Sequence, residues 1–159
     1  MSKDSDFQQI YKENFPKVIR LCLGYVKGNE ALAKDLTQEV FVKVWQHLEG
    51  FREQSKISTW IYRITVNTCL QELRKKKYLA LKIDVPVEKS SNPLETEARF
   101  ENMYRCINKL SAENKSILLL ELEEVPQVEI AEIIGISHAA IRTRIHRIKE
   151  QLANCVKHD

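Results

Sequence analysis

The chain has 159 residues, 43% of them hydrophobic, with a formal net charge of +3 and only four glycines and four prolines. That composition predicts an all-α protein, one compact domain or two small ones, with little room for turn-rich sheet. No apolar run approaches the ~20 residues of a membrane span. The polar start MSKDSDFQQI predicts no secretory signal, so a cytoplasmic protein without membrane insertion is expected.

Cys22, Cys69, Cys106 and Cys155 are far apart and form no CxxC pair, and His47, His138, His146 and His158 are scattered. No metal-ligand spacing results; four reduced core thiols, no metal and no cofactor are expected. The charge is unevenly spread. Residues 59–82 carry six basic and one acidic side chain, residues 91–135 four and nine, and residues 136–159 five and two. Two separate basic segments, near Arg74 and Arg142, are two footprints for a polyanion with an acidic stretch between them.

Residues 6–27 have helical period, through Phe7, Ile10 and Tyr11 and then Val18, Ile19, Cys22, Tyr25 and Val26; Pro16 predicts a break or kink near Phe15. Gly28-Asn29 ends that helix. Residues 30–48 form the next, with a broad apolar face of Leu36, Val40, Phe41, Val44, Trp45 and Leu48. Asp35, Gln38, Glu39, Val42 and Gln46 gather on its other side. Val42 is the odd member, which fits either a single exposed valine or a contact surface for a basic partner helix.

After a loop at Gly50–Lys56, a long helix is predicted from about Ser58 to Lys77. Trp60, Arg63, Asn67, Gln71 and Arg74 share a narrow sector of its wheel. Aromatic faces stack on unpaired bases, amides read their edges and guanidinium groups hold phosphate. Arg74, Lys75, Lys76 and Lys77 close the helix with cations, which also suit its C-terminal dipole. Residues 83–96 carry two prolines, two serines and scattered acids and read as a linker. The predicted division is a domain over 1–82, a linker over 83–96 and a domain over 97–159. The short tether lets the domains sit apart without wandering far.

Helices resume at Glu97, with Phe100, Met103, Tyr104, Ile107 and Leu110 on one side. Ser111 caps the next, whose expected core is Ile117, Leu118, Leu120 and Leu122. Glu121, Glu123 and Glu124 read as its solvated end, and Pro126 opens the helix at Gln127. The stretch EIAEIIGISHAAIRTRIHRIKEQL follows. Gly135 suits the left-handed stop of a short apolar helix, and Ser137 caps a second. In that second helix Ile141, Ile145, Ile148 and Leu152 make one stripe. Ala139, Thr143, His146 and Arg147 fall opposite, flanked by Arg142 and Arg144. Small Ala, Gly corner, cap and basic outer face together read as a helix-turn-helix, a reader of the major groove, against the plainer alternative of a helical hairpin with solvated charges.

Two runs resemble conserved regions of one family. AKDLTQEVFVKVWQHLEGFREQSKISTWIYRITVNTCLQELRKKK resembles the second conserved region of bacterial sigma factors of the extracytoplasmic-function (ECF) group, and INKLSAENKSILLLELEEVPQVEIAEIIGISHAAIRTRIHRIKEQL resembles their fourth. The resemblance implies a non-enzymatic specificity subunit of RNA polymerase. It implies that Asp35, Gln38, Glu39, Val42 and Gln46 dock on the clamp helices of core polymerase, with a further contact to its flap. It implies that the Gly50–Lys56 loop, with Trp60, Tyr62, Arg63, Asn67, Gln71, Arg74 and Lys75 to Lys77, captures the melted strand of the −10 element. His138, Ala139, Arg142, Thr143, Arg144, His146 and Arg147 would face the −35 duplex, and an anti-sigma protein is an implied partner. Pro126 and Val125 depart from the family's usual Ser or Thr cap and Gly, and Ala139 and Ala140 leave few hydrogen-bonding groups on the reading face. The rival is a ligand-responsive dimeric helix-turn-helix regulator, which predicts a ligand pocket or dimer helix within residues 1–80.

Overall fold

The computed structural model describes residues 3–52, 55–82 and 95–158. Its elements are α1 (Lys3–Tyr25), α2 (Glu30–His47), a 3-10 turn (Leu48–Gly50), α3 (Ile57–Lys82), α4 (Glu95–Asn108), α5 (Ala112–Leu122), α6 (Gln127–Ile134) and α7 (His138–His158), with no strand among the described residues. The predicted linker lies outside the described residues except for Glu95 and Thr96, which already belong to α4.

The first three helices bury one set of apolar side chains, including Val18, Leu21 and Cys22 of α1, Val40, Phe41 and Val44 of α2, and Ile61, Val66 and Cys69 of α3. Asn29 caps α2, its side chain accepting from the Leu32 amide at 3.2 Å. Of the break or kink expected near Phe15, the break is absent: α1 runs through Pro16. Proline removes one donor from the ladder. The buried face on both sides of Pro16 packs continuously, and Asn14, itself buried, donates its side-chain amide to the Ile10 carbonyl at 2.8 Å.

The helix-turn-helix forms as its residues dictate. Gly135 takes φ +87°, and the amides of Gly135 and Ile136 both reach the Ala131 carbonyl, at 2.8 and 3.2 Å. The Ser137 hydroxyl accepts from the Ala140 amide at 3.1 Å. Ile130, Ile141 and Ile148 are sealed between the helices. Ser137→Ala should therefore cost about 1 kcal/mol and lower the melting midpoint by roughly 2–4 °C, read by circular dichroism. An unchanged midpoint would mean that α7 does not depend on this cap.

The two halves are in contact. The Arg20 guanidinium donates to both Glu123 oxygens, at 2.8 and 2.9 Å. The Tyr25 and Ser116 hydroxyls are hydrogen-bonded, and burial pushes the Tyr25 phenol well above its ordinary pKa. The Asn108 amide donates to the Gly24 carbonyl at 3.3 Å, while its oxygen accepts from Lys115 Nζ at 2.8 Å. Lys115 is buried, which lowers its pKa, and nearby Lys27 lowers it further. Gly24 of α1 lies directly against Leu119 of α5.

Three expectations are corrected here. Glu123 is an ion-pair partner and not a solvated end, and Glu121 meets Lys149 at 3.4 Å. Leu122 is 48% exposed, and Leu119, one turn earlier, is buried in its stead. The reason is the presence of α1, which turns an outer stripe of α5 into an inner one. The third concerns sulfur. Cys22 and Cys69 are buried free thiols, but Cys106 and Cys155 form a disulfide, because α4 and the end of α7 lie side by side with those Cα atoms 5.9 Å apart.

Candidate nucleic-acid interface

The α3 face is assembled by the loop that precedes it. The ring of Phe51 lies 4.9 Å from that of Trp60, tilted by 37°. With Gly50, Arg52, Ser55, Arg63 and Glu132 these rings line a cleft of about 510 Å³. Arg63, Asn67, Gln71, Arg74, Lys75, Lys76 and Lys77 are all exposed along the same helix. The sequence therefore placed an aromatic group at the head of a polar and cationic track, and the fold puts a cleft there. Tyr62 is different: it is 6% exposed. Burial, with the charges of Glu123 and Glu129 behind it, raises its phenol pKa, so its side chain belongs to the seam and not to the track.

Two residues of this site were not singled out by periodicity. Phe51 follows Gly50 in an irregular segment, where no wheel applies; it is reached only through the resemblance, which implies the whole Gly50–Lys56 loop and not this residue in particular. Glu132 arrives from the other half of the chain. Arg63 donates to the Glu132 carbonyl at 3.0 Å, and Lys56 pairs with Glu129 at 2.9 Å. Thus α6 leans on the cleft, and its acidic side meets cations at the start of α3.

The α7 face is presented outward. His138, Ala139, Arg142, Thr143, His146 and Arg147 are exposed, and Arg144 is half-buried. Arg144 is drawn towards α5 by Glu113 at 2.9 Å. The Thr143 hydroxyl donates to the Ala139 carbonyl of its own helix at 3.2 Å, and His146 lies 3.8 Å from Glu150. Arg142 and Arg147 are thus the long cations projecting from the reading face. On α2, Asp35, Gln38, Glu39, Val42 and Gln46 are exposed together. Val42 is 53% exposed, an apolar centre in a ring of polar groups. Glu39 touches Lys43 at 3.6 Å, whose amine donates to the Thr68 hydroxyl at 3.0 Å.

Three surfaces result: an acidic and apolar stripe on α2, an aromatic and cationic cleft on α3, and a basic recognition helix. Residues 10–78 match the family described as Sigma-70 region 2, and residues 100–152 match Sigma-70, region 4. The chain is 30% identical to the ECF RNA polymerase sigma factor SigW of Bacillus subtilis, over 93% of this chain and 86% of that protein. It is 31% identical to the ECF RNA polymerase sigma-E factor of Escherichia coli K12, over 89% and 81%. Its fold is similar to that of the sigma factor RpoE of Bartonella quintana, solved in complex with the anti-sigma factor NepR. There the TM-score is 0.78 at 22% identity, over 97% of this chain and 98% of that one. No described helix is long and apolar enough to cross a membrane. The chain belongs to the ECF group of sigma factors, the subunits that direct RNA polymerase to promoters.

Proposed function

We propose that this sigma factor works through a division of labour among its three surfaces, inside the cell beside polymerase. The α2 stripe of Asp35, Gln38, Glu39, Val42 and Gln46 docks on the clamp helices of core enzyme, and the second domain reaches the flap. The α7 face, led by Arg142 and Arg147, lies in the major groove of the −35 duplex, where phosphate contacts set register and base edges give specificity. The α3 cleft receives an unstacked base of the −10 element. Stacking on Trp60 and Phe51 holds that base, Asn67 stands ready to hydrogen-bond its edge, and Lys75 to Lys77 follow the phosphates. Trapping the open strand lowers the free energy of melting at the right sequence. The chain makes and breaks no covalent bond in this; polymerase does. The observation that carries the reading is the Phe51–Trp60 cleft at the head of the cationic track.

The closed seam then has a functional meaning. A base entering the cleft competes with Glu132 for Arg63, so promoter capture requires α6 to leave α3. An anti-sigma protein that grips both halves would hold the closed form. The dimeric regulator has no support left, since residues 10–78 match a sigma region where that reading needs a ligand pocket or dimer helix.

The docking assignment is tested by Asp35→Arg combined with Glu39→Arg. Both side chains are exposed, so the melting midpoint should hold. Affinity for core polymerase should fall by about tenfold or more, through like-charge repulsion against a basic partner surface. Core affinity equal to that of the parent would end the assignment.

A further inference from the structure

Promoter recognition leaves the disulfide unused. It joins Cys106, in the last turn of α4, to Cys155 near the end of α7, 49 residues later. Cys106 is 2% exposed, and Cys155 is half-buried. Beside Cys106, Ile107 is buried on α4, while Phe100 and Met103 are 59% and 36% exposed. A side-chain amide of Asn102 reaches the Val156 carbonyl only at 3.5 Å. On its other side α4 supplies the seam, with the Tyr104 ring packed on Gly28 and Asn108 bonded to the Gly24 carbonyl. One helix is thus tied to α7 by a covalent bond and to α1 by the packing of Tyr104 and a single long hydrogen bond from Asn108.

We propose that Cys106 and Cys155 form a reversible thiol switch that fixes α4, and with it the seam to α1, when oxidised and releases both when reduced. The oxidant class is a hydroperoxide. The thiolate of Cys155, the more accessible sulfur, attacks the O–O bond and becomes a sulfenic acid, expelling an alcohol, or water from hydrogen peroxide. The Cys106 thiol then attacks that sulfur, the S–S bond forms, and the sulfenic oxygen leaves as water; two electrons have passed from the thiols to the peroxide. A dithiol reductant reverses the bond by exchange, its own sulfurs ending as the disulfide. Cys22 and Cys69 approach to 3.7 Å but are both sealed from solvent, so they stay reduced throughout. From the proposed function the inference takes only that the chain works beside polymerase, where dithiol reductants make a disulfide conditional.

The test uses the full chain without polymerase, so its outcome is separate from that of the docking assignment. Hydrogen peroxide should yield a species lighter by two hydrogens, cross-linked between the peptides of Cys106 and Cys155. Cys22 and Cys69 should remain open to alkylation after unfolding. Thioredoxin with its reductase should return the thiols. Reduction should speed amide exchange in the last turn of α4 and around Gly24 by about tenfold or more, and C106S/C155S should exchange at the reduced rate whatever the oxidant. Three results overturn the switch: the bond fails to form between these sulfurs, it resists thioredoxin, or exchange around Gly24 is the same in both redox states. The comparison of oxidised with reduced parent decides even if the double variant folds poorly.

Discussion

Gly24→Val should drive the two halves apart while leaving each folded. Gly24 is buried in the last turn of α1, and a Cβ built there overlaps the Leu119 side chain, with Cδ1 at 2.9 Å. Leu119 has little room to yield, being itself buried on a turn where Ser116 is hydrogen-bonded to Tyr25. Overpacking of this kind costs about 1–3 kcal/mol. The seam it disrupts rests on a few polar contacts, of which the Arg20–Glu123 pair is half-exposed on the arginine side and contributes little. Within α1 the change is favourable, because glycine is the poorer helix former. The strain thus falls on the contact between halves and not on either core. The radius of gyration from solution scattering should rise with helicity unchanged. Free chain should capture single-stranded −10 DNA about ten- to a hundredfold more tightly, since the competent conformer no longer has to be drawn from a minor population. Leu119→Ala in the same chain should restore the compact form by removing the overlap. A Gly24→Val chain as compact as the parent would show that the seam tolerates a larger residue and does not govern capture.

The parts of this arrangement that rest on one helix were legible in the sequence. Gly135, Ser137 and the Ile141–Leu152 stripe specify their corner through local rules of conformation and period, and the structure places them accordingly. The α3 track was legible for the same reason, because side chains on one helix share a face whatever surrounds them. What periodicity does not carry is contact between distant elements. Glu123, Leu119 and Leu122 owe their environments to α1, about a hundred residues earlier in sequence as measured by the Arg20 pair. Cys106 and Cys155 meet because two helices lie side by side, which no spacing rule announces. Pro16 errs in the opposite direction: a local rule allows a break or a kink there, and the helix continues unbroken. Phe51 lies in a loop, outside any periodic argument.

Trp60→Ala should reduce promoter opening far more than duplex binding. Stacking of a base on an aromatic side chain contributes about 1–3 kcal/mol, and the substitution also leaves Phe51 without the ring it leans on. Open complex should therefore fall by roughly 5- to 150-fold, read as permanganate reactivity of unpaired thymines near the start site with core enzyme present. Binding to a −35 duplex should be unchanged, because α7 belongs to the other half of the chain. Trp60 is also partly packed on the core, so Trp60→Tyr serves as the control that keeps a stacking face. It should recover most of the opening, whereas a purely structural role would leave it as impaired as Trp60→Ala if the smaller ring fails to fill the site. The cations beyond it make a separable contribution. Lys75→Ala with Lys76→Ala removes two exposed charges and should weaken single-strand binding uniformly across sequences, lowering the salt slope by about 0.7 for each phosphate left without its lysine. Trp60→Ala should leave that slope alone, because a stacked base releases no counterion. If Trp60→Ala flattens the salt dependence and the lysine pair does not, the assignment of stacking to the cleft and phosphate to the track is wrong.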